Sequence, residues 1–230
     1  MHAKPHKPYL RNDGEKQKCR ESFVAAVRKT GGAPLRIGTL PAEKALCAQL
    51  IAASFPGVSI LGVEKCDEVF RKIPSVPGMA LVRQDVQDWV AGETLLTASY
   101  PSRLDMHFDA FNFDLCCAPS ASMLNTISQF VANDRIVHVG KPTTLAFTFC
   151  RNIRNAAQLK GLRALITSKL QTDPEEKVSY GVKSVAALLQ CRLAEATQWS
   201  QLTCLTAHDY RASDSSIGMF FIILQGTKRA

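Results

Sequence analysis

Three short segments have the make-up of buried strands, and each ends at a residue able to do chemistry. Residues 34–41 read Pro-Leu-Arg-Ile-Gly-Thr-Leu-Pro, residues 58–64 read Val-Ser-Ile-Leu-Gly-Val-Glu, and residues 108–114 read Phe-Asp-Ala-Phe-Asn-Phe-Asp. An apolar, helix-like stretch over residues 43–55 joins the first two. Glu64 falls at the end of the second segment, about 25 residues beyond the first turn. In a strand–helix–strand unit that holds a nucleoside, this is where a carboxylate accepts from the ribose hydroxyls. Spacing of this kind restricts the chain to alternating strands and helices and points to a class of ligand.

The remaining segments extend the alternation. A helix is expected over residues 15–30, stopped by Gly31-Gly32, with Phe23, Val24 and Val27 on one side. Pro41 and Glu43 suit a helix start, and Leu46, Leu50 and Ile51 repeat at helical spacing before Pro56-Gly57 ends the run. Further elements are expected as a short helix over 67–73, a strand over 79–82, a helical turn over 88–91 and a loop over 92–105. The strand over 108–115 has few charges, which suits a central position covered on both faces. A helix capped by Ser120 or Ser122 follows, then a strand over 143–149 and helices over 152–170 and 183–199. Two closing strands, 202–210 and 219–225, flank the turn-rich Ser-Asp-Ser-Ser-Ile-Gly of residues 213–218, the pattern of an antiparallel hairpin at the end of a parallel sheet.

Bulk properties narrow the function classes. The chain has 230 residues, enough for one α/β domain with a full core. No apolar run reaches the ~18 residues that span a bilayer, and residues 1–20 lack the apolar centre of a secretory signal. A cytoplasmic protein is therefore expected. The eight cysteines form no Cys-x-x-Cys pair and have no histidines at zinc spacing. Reduced, buried thiols and no metal site are the expectation.

The formal charge is +8, and the basic residues are clustered. Lys4, Lys7, Arg11, Lys16, Lys18, Arg20, Arg28 and Lys29 face only Asp13, Glu15 and Glu21 in the first thirty residues. The chain divides on this ground into a basic N-terminal arm and helix, 1–30, and a domain over 31–230. A second basic set, Arg151, Arg154, Lys160, Arg163 and Lys169, follows the strand over 143–149. Basic clusters attract polyanions through counterion release, so nucleic acid is the expected partner of the arm and of Arg151 and Arg154. A solvated surface is the competing reading. The arm has a competing fate too: Phe23, Val24 and Val27 could dock its helix on the sheet.

The order of these landmarks resembles the class I S-adenosylmethionine-dependent methyltransferase family over about residues 34–225. Ile37-Gly38-Thr39-Leu40-Pro41 stands at the family's first glycine-rich motif, Glu64 at its ribose acid, Asp85 with Val86 near adenine, and Asn112-Phe113-Asp114 at its fourth motif. The Leu-Pro turn is similar to a divergent group of such proteins in phages, plasmids and archaea. The resemblance implies an α/β, Rossmann-like fold: a mostly parallel seven-stranded sheet, helices on both faces, and an antiparallel C-terminal hairpin. It implies S-adenosylmethionine as cofactor, bound by Gly38, Thr39, Leu40, Pro41, Glu64, Asp85, Val86 and Asp114. Of the family's Gly-x-Gly-x-Gly only Gly38 is present. Asp114 and Cys116 are the candidate catalytic residues, Cys116 because cytosine-C5 chemistry uses a thiolate. Three functions remain open: methylation of nucleic acid, a nucleic-acid-binding or assembly protein that has lost methyl transfer, and methylation of a small molecule or protein.

Overall fold

The computed structural model describes residues 14–31, 35–85, 107–115, 117–133, 136–151, 156–170, 181–197, 199–211 and 218–229. The elements are α1 (Gly14–Thr30), β1 (Arg36–Thr39), α2 (Leu46–Ser54), β2 (Ser59–Glu64), α3 (Asp67–Phe70), β3 (Met79–Arg83) and β4 (Ala110–Asp114). They continue as α4 (Ala121–Ala132), β5 (Pro142–Cys150), α5 (Ala156–Leu170), α6 (Val182–Thr197), β6 (Trp199–Arg211) and β7 (Gly218–Lys228). The helical turn expected over 88–91 and the loop over 92–105 lie outside the described residues.

All seven strands form one sheet, in the order β3-β2-β1-β4-β5-β7-β6. The pairs β2–β3, β1–β2, β1–β4 and β4–β5 are parallel. β7 runs antiparallel to both β5 and β6, so the closing hairpin inserts its second strand next to β5 and leaves β6 at the edge. The expected α/β sheet with its antiparallel hairpin is the observed architecture. β6 is longer than expected at 13 residues, and its register shifts twice near Gln201, whose φ is 55°. Bulges of this kind twist an edge strand away from further pairing.

Side chains alternate between the two faces of the sheet, as the strand period requires. Phe111, Phe113, Leu145, Phe147, Phe149, Phe220, Ile222 and Leu224 join the core under α4, α5 and α6. Ile37, Ile60, Ala110, Ala146, Met219, Phe221 and Ile223 join the core under α1 and α2. α1 contributes Cys19, Phe23, Val24, Ala26 and Val27 to that second core and touches α2, β5, β6 and β7. Its helix is thus part of the domain's packing, the docked fate of the two weighed from sequence.

Local chemistry accounts for the boundaries. Ser120 caps α4, its hydroxyl accepting from the Met123 N–H at 3.1 Å. Gly78 turns the chain into β3 at φ +75°, and a Cβ there would stand 2.4 Å from the Val58 carbonyl oxygen. α2 begins at Leu46, later than Pro41 and Glu43 suggested. Pro41 is buried, with its Cγ 3.1 Å from where a Cβ on Gly62 would lie. Residues 42–45 then form a turn closed by Ala45 N–H on Ala42 O at 2.8 Å, with Ala45 left-handed at φ 47°.

Candidate functional site

The strand order reverses between β1 and β4, since the chain builds outward to β3 and then crosses back to start β4 beside β1. In open α/β sheets the crevice beyond the carboxyl ends of the strands at this reversal is where ligands bind. The residues singled out at positions 38–41, 64, 85 and 114 stand at or just past these ends.

At the end of β1, Thr39 is fully buried, and its hydroxyl lies close enough to the Cys47 thiol to favour the thiolate slightly. The Leu40 N–H donates to the Asn112 carbonyl at 3.3 Å, tying the loop to β4. Gly38 serves packing: a Cβ there would lie 2.1 Å from the Phe111 ring. Its missing side chain makes room for an aromatic of the opposite core, not for a ligand as the family's first glycine would.

At the end of β2, Glu64 is partly exposed, and its Oε1 accepts from the Cys66 N–H at 2.7 Å. A carboxylate offers about four lone-pair sites, so this bond leaves capacity for further donors. At the end of β3, Asp85 is paired with Lys65 at 3.2 Å. Val86 and Cys116 lie outside the described residues.

The end of β4 holds a contact between distant parts of the chain. Asp114 is paired with Lys16 of α1 at 2.8 Å, and only 16% and 11% of their side chains are exposed. One pleat earlier, the Asn112 amide donates to the Cys47 thiol at 3.1 Å. Asn112, Asp114, Lys16, Arg20 and Cys47 surround a cavity of about 20 Å³, the size of one water. Burial pushes the Cys47 thiol up to about 11, although the Asn112 amide favours the thiolate. Burial and the nearby Asp114 charge push Cys19 up to about 12. Burial also raises Cys117, next to Cys116. Thiols held this high are poor nucleophiles at neutral pH. The thiols vary in exposure, from buried Cys19 to exposed Cys66.

The basic residues divide in the same way. Lys16 and Arg20 are 9% exposed, so they do not present the solvent-facing charge that the arm reading gave them. Lys18 is paired with Glu15 at 2.6 Å, Arg28 lies over the Phe55 ring, and Arg151 is paired with Asp209 at 3.1 Å. Lys4, Lys7, Arg11 and Arg154 lie outside the described residues. Among the described residues no cluster of histidine, cysteine and carboxylate groups is arranged to hold a metal, and no helix is long and apolar enough to cross a membrane.

The Lys16–Asp114 and Asn112–Cys47 contacts were not anticipated from the sequence. One signal was present: Ala110, Asn112 and Asp114 alternate with phenylalanines, so β4 turns one small or polar face toward whatever covers it.

No protein-family model matches the chain, and no curated protein does. Solved structures do. The N-methyltransferase NodS from Bradyrhizobium japonicum WM9 superimposes with a TM-score of 0.52 at 10% identity, over 95% of this chain and 100% of that one. The fold is class I methyltransferase-like. The N-terminal domain of EvdMO1, solved with SAH bound, is similar with a TM-score of 0.51 at 18% identity, over 99% of this chain and 86% of that one. At these identities the likeness is one of fold. It does not single out the phage, plasmid and archaeal subgroup that the Leu-Pro turn suggested. Within a class I methyltransferase-like sheet, the crevice described above is the cleft at the β1–β4 reversal.

Proposed function

We propose that this protein binds S-adenosylmethionine at the β1–β4 crevice and transfers its methyl group to an acceptor. The observation that carries the reading is Glu64, a partly exposed carboxylate with spare acceptor capacity at the end of β2, on a sheet of this strand order. Glu64 would hold the ribose, Asp85 and Val86 the adenine side, and Thr39, Leu40 and Pro41 the floor between β1 and β4. Asp114 would stand at the far end of the ligand. Gly38 takes no part beyond packing.

Bound S-adenosylmethionine supplies a methyl group already activated on a sulfonium. The chain's share is to align an acceptor and to keep water out. The raised thiols of Cys19 and Cys47 argue that these two provide no covalent step.

For the acceptor we propose nucleic acid. α1 starts beside the crevice, because Lys16 reaches Asp114 only two residues after Gly14. Lys4, Lys7 and Arg11 precede α1 in the chain, and in this reading they gather a polyanion for the crevice. A second reading is a protein that binds the cofactor or its nucleic acid without transfer. It is favoured by the loss of the glycine cradle, with Gly38 given over to Phe111.

Calorimetry with S-adenosylmethionine and S-adenosylhomocysteine tests the cofactor. We expect both to bind, and Glu64→Ala to weaken binding by about 1.5–3 kcal/mol, the range for a hydrogen bond to a charged group. Absence of binding at millimolar ligand in the folded wild type contradicts the proposal. Label transfer from methyl-tritiated cofactor to RNA and DNA then separates enzyme from binding module.

A further inference from the structure

A second polar site lies away from the crevice, on the other face of the sheet. α4 and α6 pack on each other, and between them runs a groove of about 390 Å³ lined by Asn125, Ser128, Gln129, Ala132, Arg192 and Glu195. That volume is in the range of small-ligand sites. Its lower end is marked by Lys228, the last residue of β7, whose Nζ donates to the Ala132 carbonyl. Lys228 also accepts from the Gly140 N–H through its own carbonyl, just ahead of β5. This end of the groove thus lies near the amino-terminal end of β5, away from the carboxyl ends that carry Glu64 and Asp114.

Arg192 sets the chemistry. Its Nε is shut off from solvent and has no hydrogen-bond partner among the described residues. A buried guanidinium N–H without an acceptor is costly, and Arg192 itself lines the groove, where an oxyanion can meet it. Glu195 is the carboxylate in the lining, but its two oxygens are engaged by Lys169 at 2.9 and 2.8 Å. It does not cancel Arg192. The Lys169–Glu195 pair is neutral as a unit, which leaves Arg192 as the charge among the lining residues. Asn125 and Gln129, four residues apart and exposed on α4, offer carboxamide donors from the facing wall. The Ser128 hydroxyl already donates to Leu124 O at 2.9 Å and keeps only its lone pairs.

We propose that this groove binds a small oxyanion, a carboxylate or phosphate, through Arg192 with Asn125 and Gln129 as further donors. The planar fork of arginine matches both groups, taking two oxygens at once. The site is independent of the crevice and of the cofactor assigned to it.

The test is calorimetric titration of the whole chain with sodium phosphate and with sodium malonate, at ionic strength held constant by sodium chloride. Arg192→Gln removes the guanidinium. Gln129→Glu places a negative charge at an exposed position that the fold does not depend on. Gln49→Glu puts the same charge on α2, on the other face. We expect saturable binding of at least one anion with a dissociation constant of about 1 mM or tighter. Arg192→Gln and Gln129→Glu should each weaken it tenfold or more, and Gln49→Glu should leave it unchanged. Saturation by phosphate alone, malonate alone or both supports the site and names its ligand. No saturable binding of either overturns the proposal. So does wild-type affinity in Gln129→Glu, or equal loss in Gln49→Glu.

Discussion

The two faces of the sheet are built from the same strands and have opposite characters. The face under α4, α5 and α6 is an aromatic stack. Phe113 and Phe147 lie parallel at 5.2 Å, Phe147 and Phe149 at 6.1 Å, and Phe130 meets Phe111 and Phe113 edge-on at 4.7 and 5.0 Å. The face under α1 and α2 uses Ala110, Ala146, Phe221 and Ile223 for packing, but its upper part carries Thr39, Asn112, Asp114 and Thr148. One face holds the sheet together. The other gives up apolar burial near the carboxyl ends to hold polar groups.

If this contrast is right, the aromatic face should be the more sensitive to truncation. Phe147→Ala removes a fully buried ring stacked on two neighbours, and its expected cost is about 3–5 kcal/mol in urea unfolding. A loss below about 1 kcal/mol would break the comparison.

On the polar face the largest effect should come from the buried ion pair. Asp114→Ala leaves Lys16 without its carboxylate, at an expected cost of about 3 kcal/mol. The double variant Lys16→Met with Asp114→Leu should recover most of that stability, because it removes both charges together. Equal losses in the single and double variants would show that the pair's charges are not what matters.

Gly38 sits where the two faces meet. Gly38→Ala would press a methyl group into the Phe111 ring and should destabilise by about 1–3 kcal/mol through overpacking. A glycine reserved for a ligand would instead give a stable variant with weakened cofactor binding, so measuring both quantities sharpens the contrast.

A smaller effect should appear with pH at the amino-terminal end of β4. His138 packs at a tilt against His107 with ring centroids 4.6 Å apart, and its Nε2 is 3.7 Å from Asp109. Burial holds its imidazole below the usual 6.5, outweighing the Asp109 charge that acts the other way. The folded state therefore binds protons less readily than the unfolded chain at this site. Its contribution is fully present above pH 6.5 and falls as pH drops from there toward the lowered folded value. His138→Gln should remove that part of the pH dependence of the melting temperature. An unchanged slope would contradict the assignment.

The sheet was legible from the sequence because its strands are short apolar runs with clear breaks, and because β4 carries almost no charge. The helix capped by Ser120 was legible for a local reason, a hydroxyl within reach of its own third amide. Glu64, Asp85 and Asp114 could be placed at or just past strand ends because the same breaks set those ends. What the sequence hid depends on contacts far apart in the chain. Nothing local says that Lys16 and Arg20 turn inward, since a basic amphipathic helix reads the same whether it is solvated or docked. The late start of α2 goes with Pro41 lying against Gly62 of the neighbouring strand. The role of Gly38 was hidden because Phe111 reaches it from a different strand. Arg192 gave no signal at all, because its groove exists only once α4 and α6 are side by side.

The central claim is that the polar face ends in a nucleoside site at Glu64. The most direct test is a titration of the ¹⁵N-labelled protein with S-adenosylhomocysteine, followed by amide chemical shifts. The account predicts saturable shifts at Gly38, Thr39, Leu40, Glu64, Lys65 and Asp85, with little change on α4 and α6. Shifts confined to Asn125, Gln129 and Arg192, or no shifts at millimolar ligand, would contradict it.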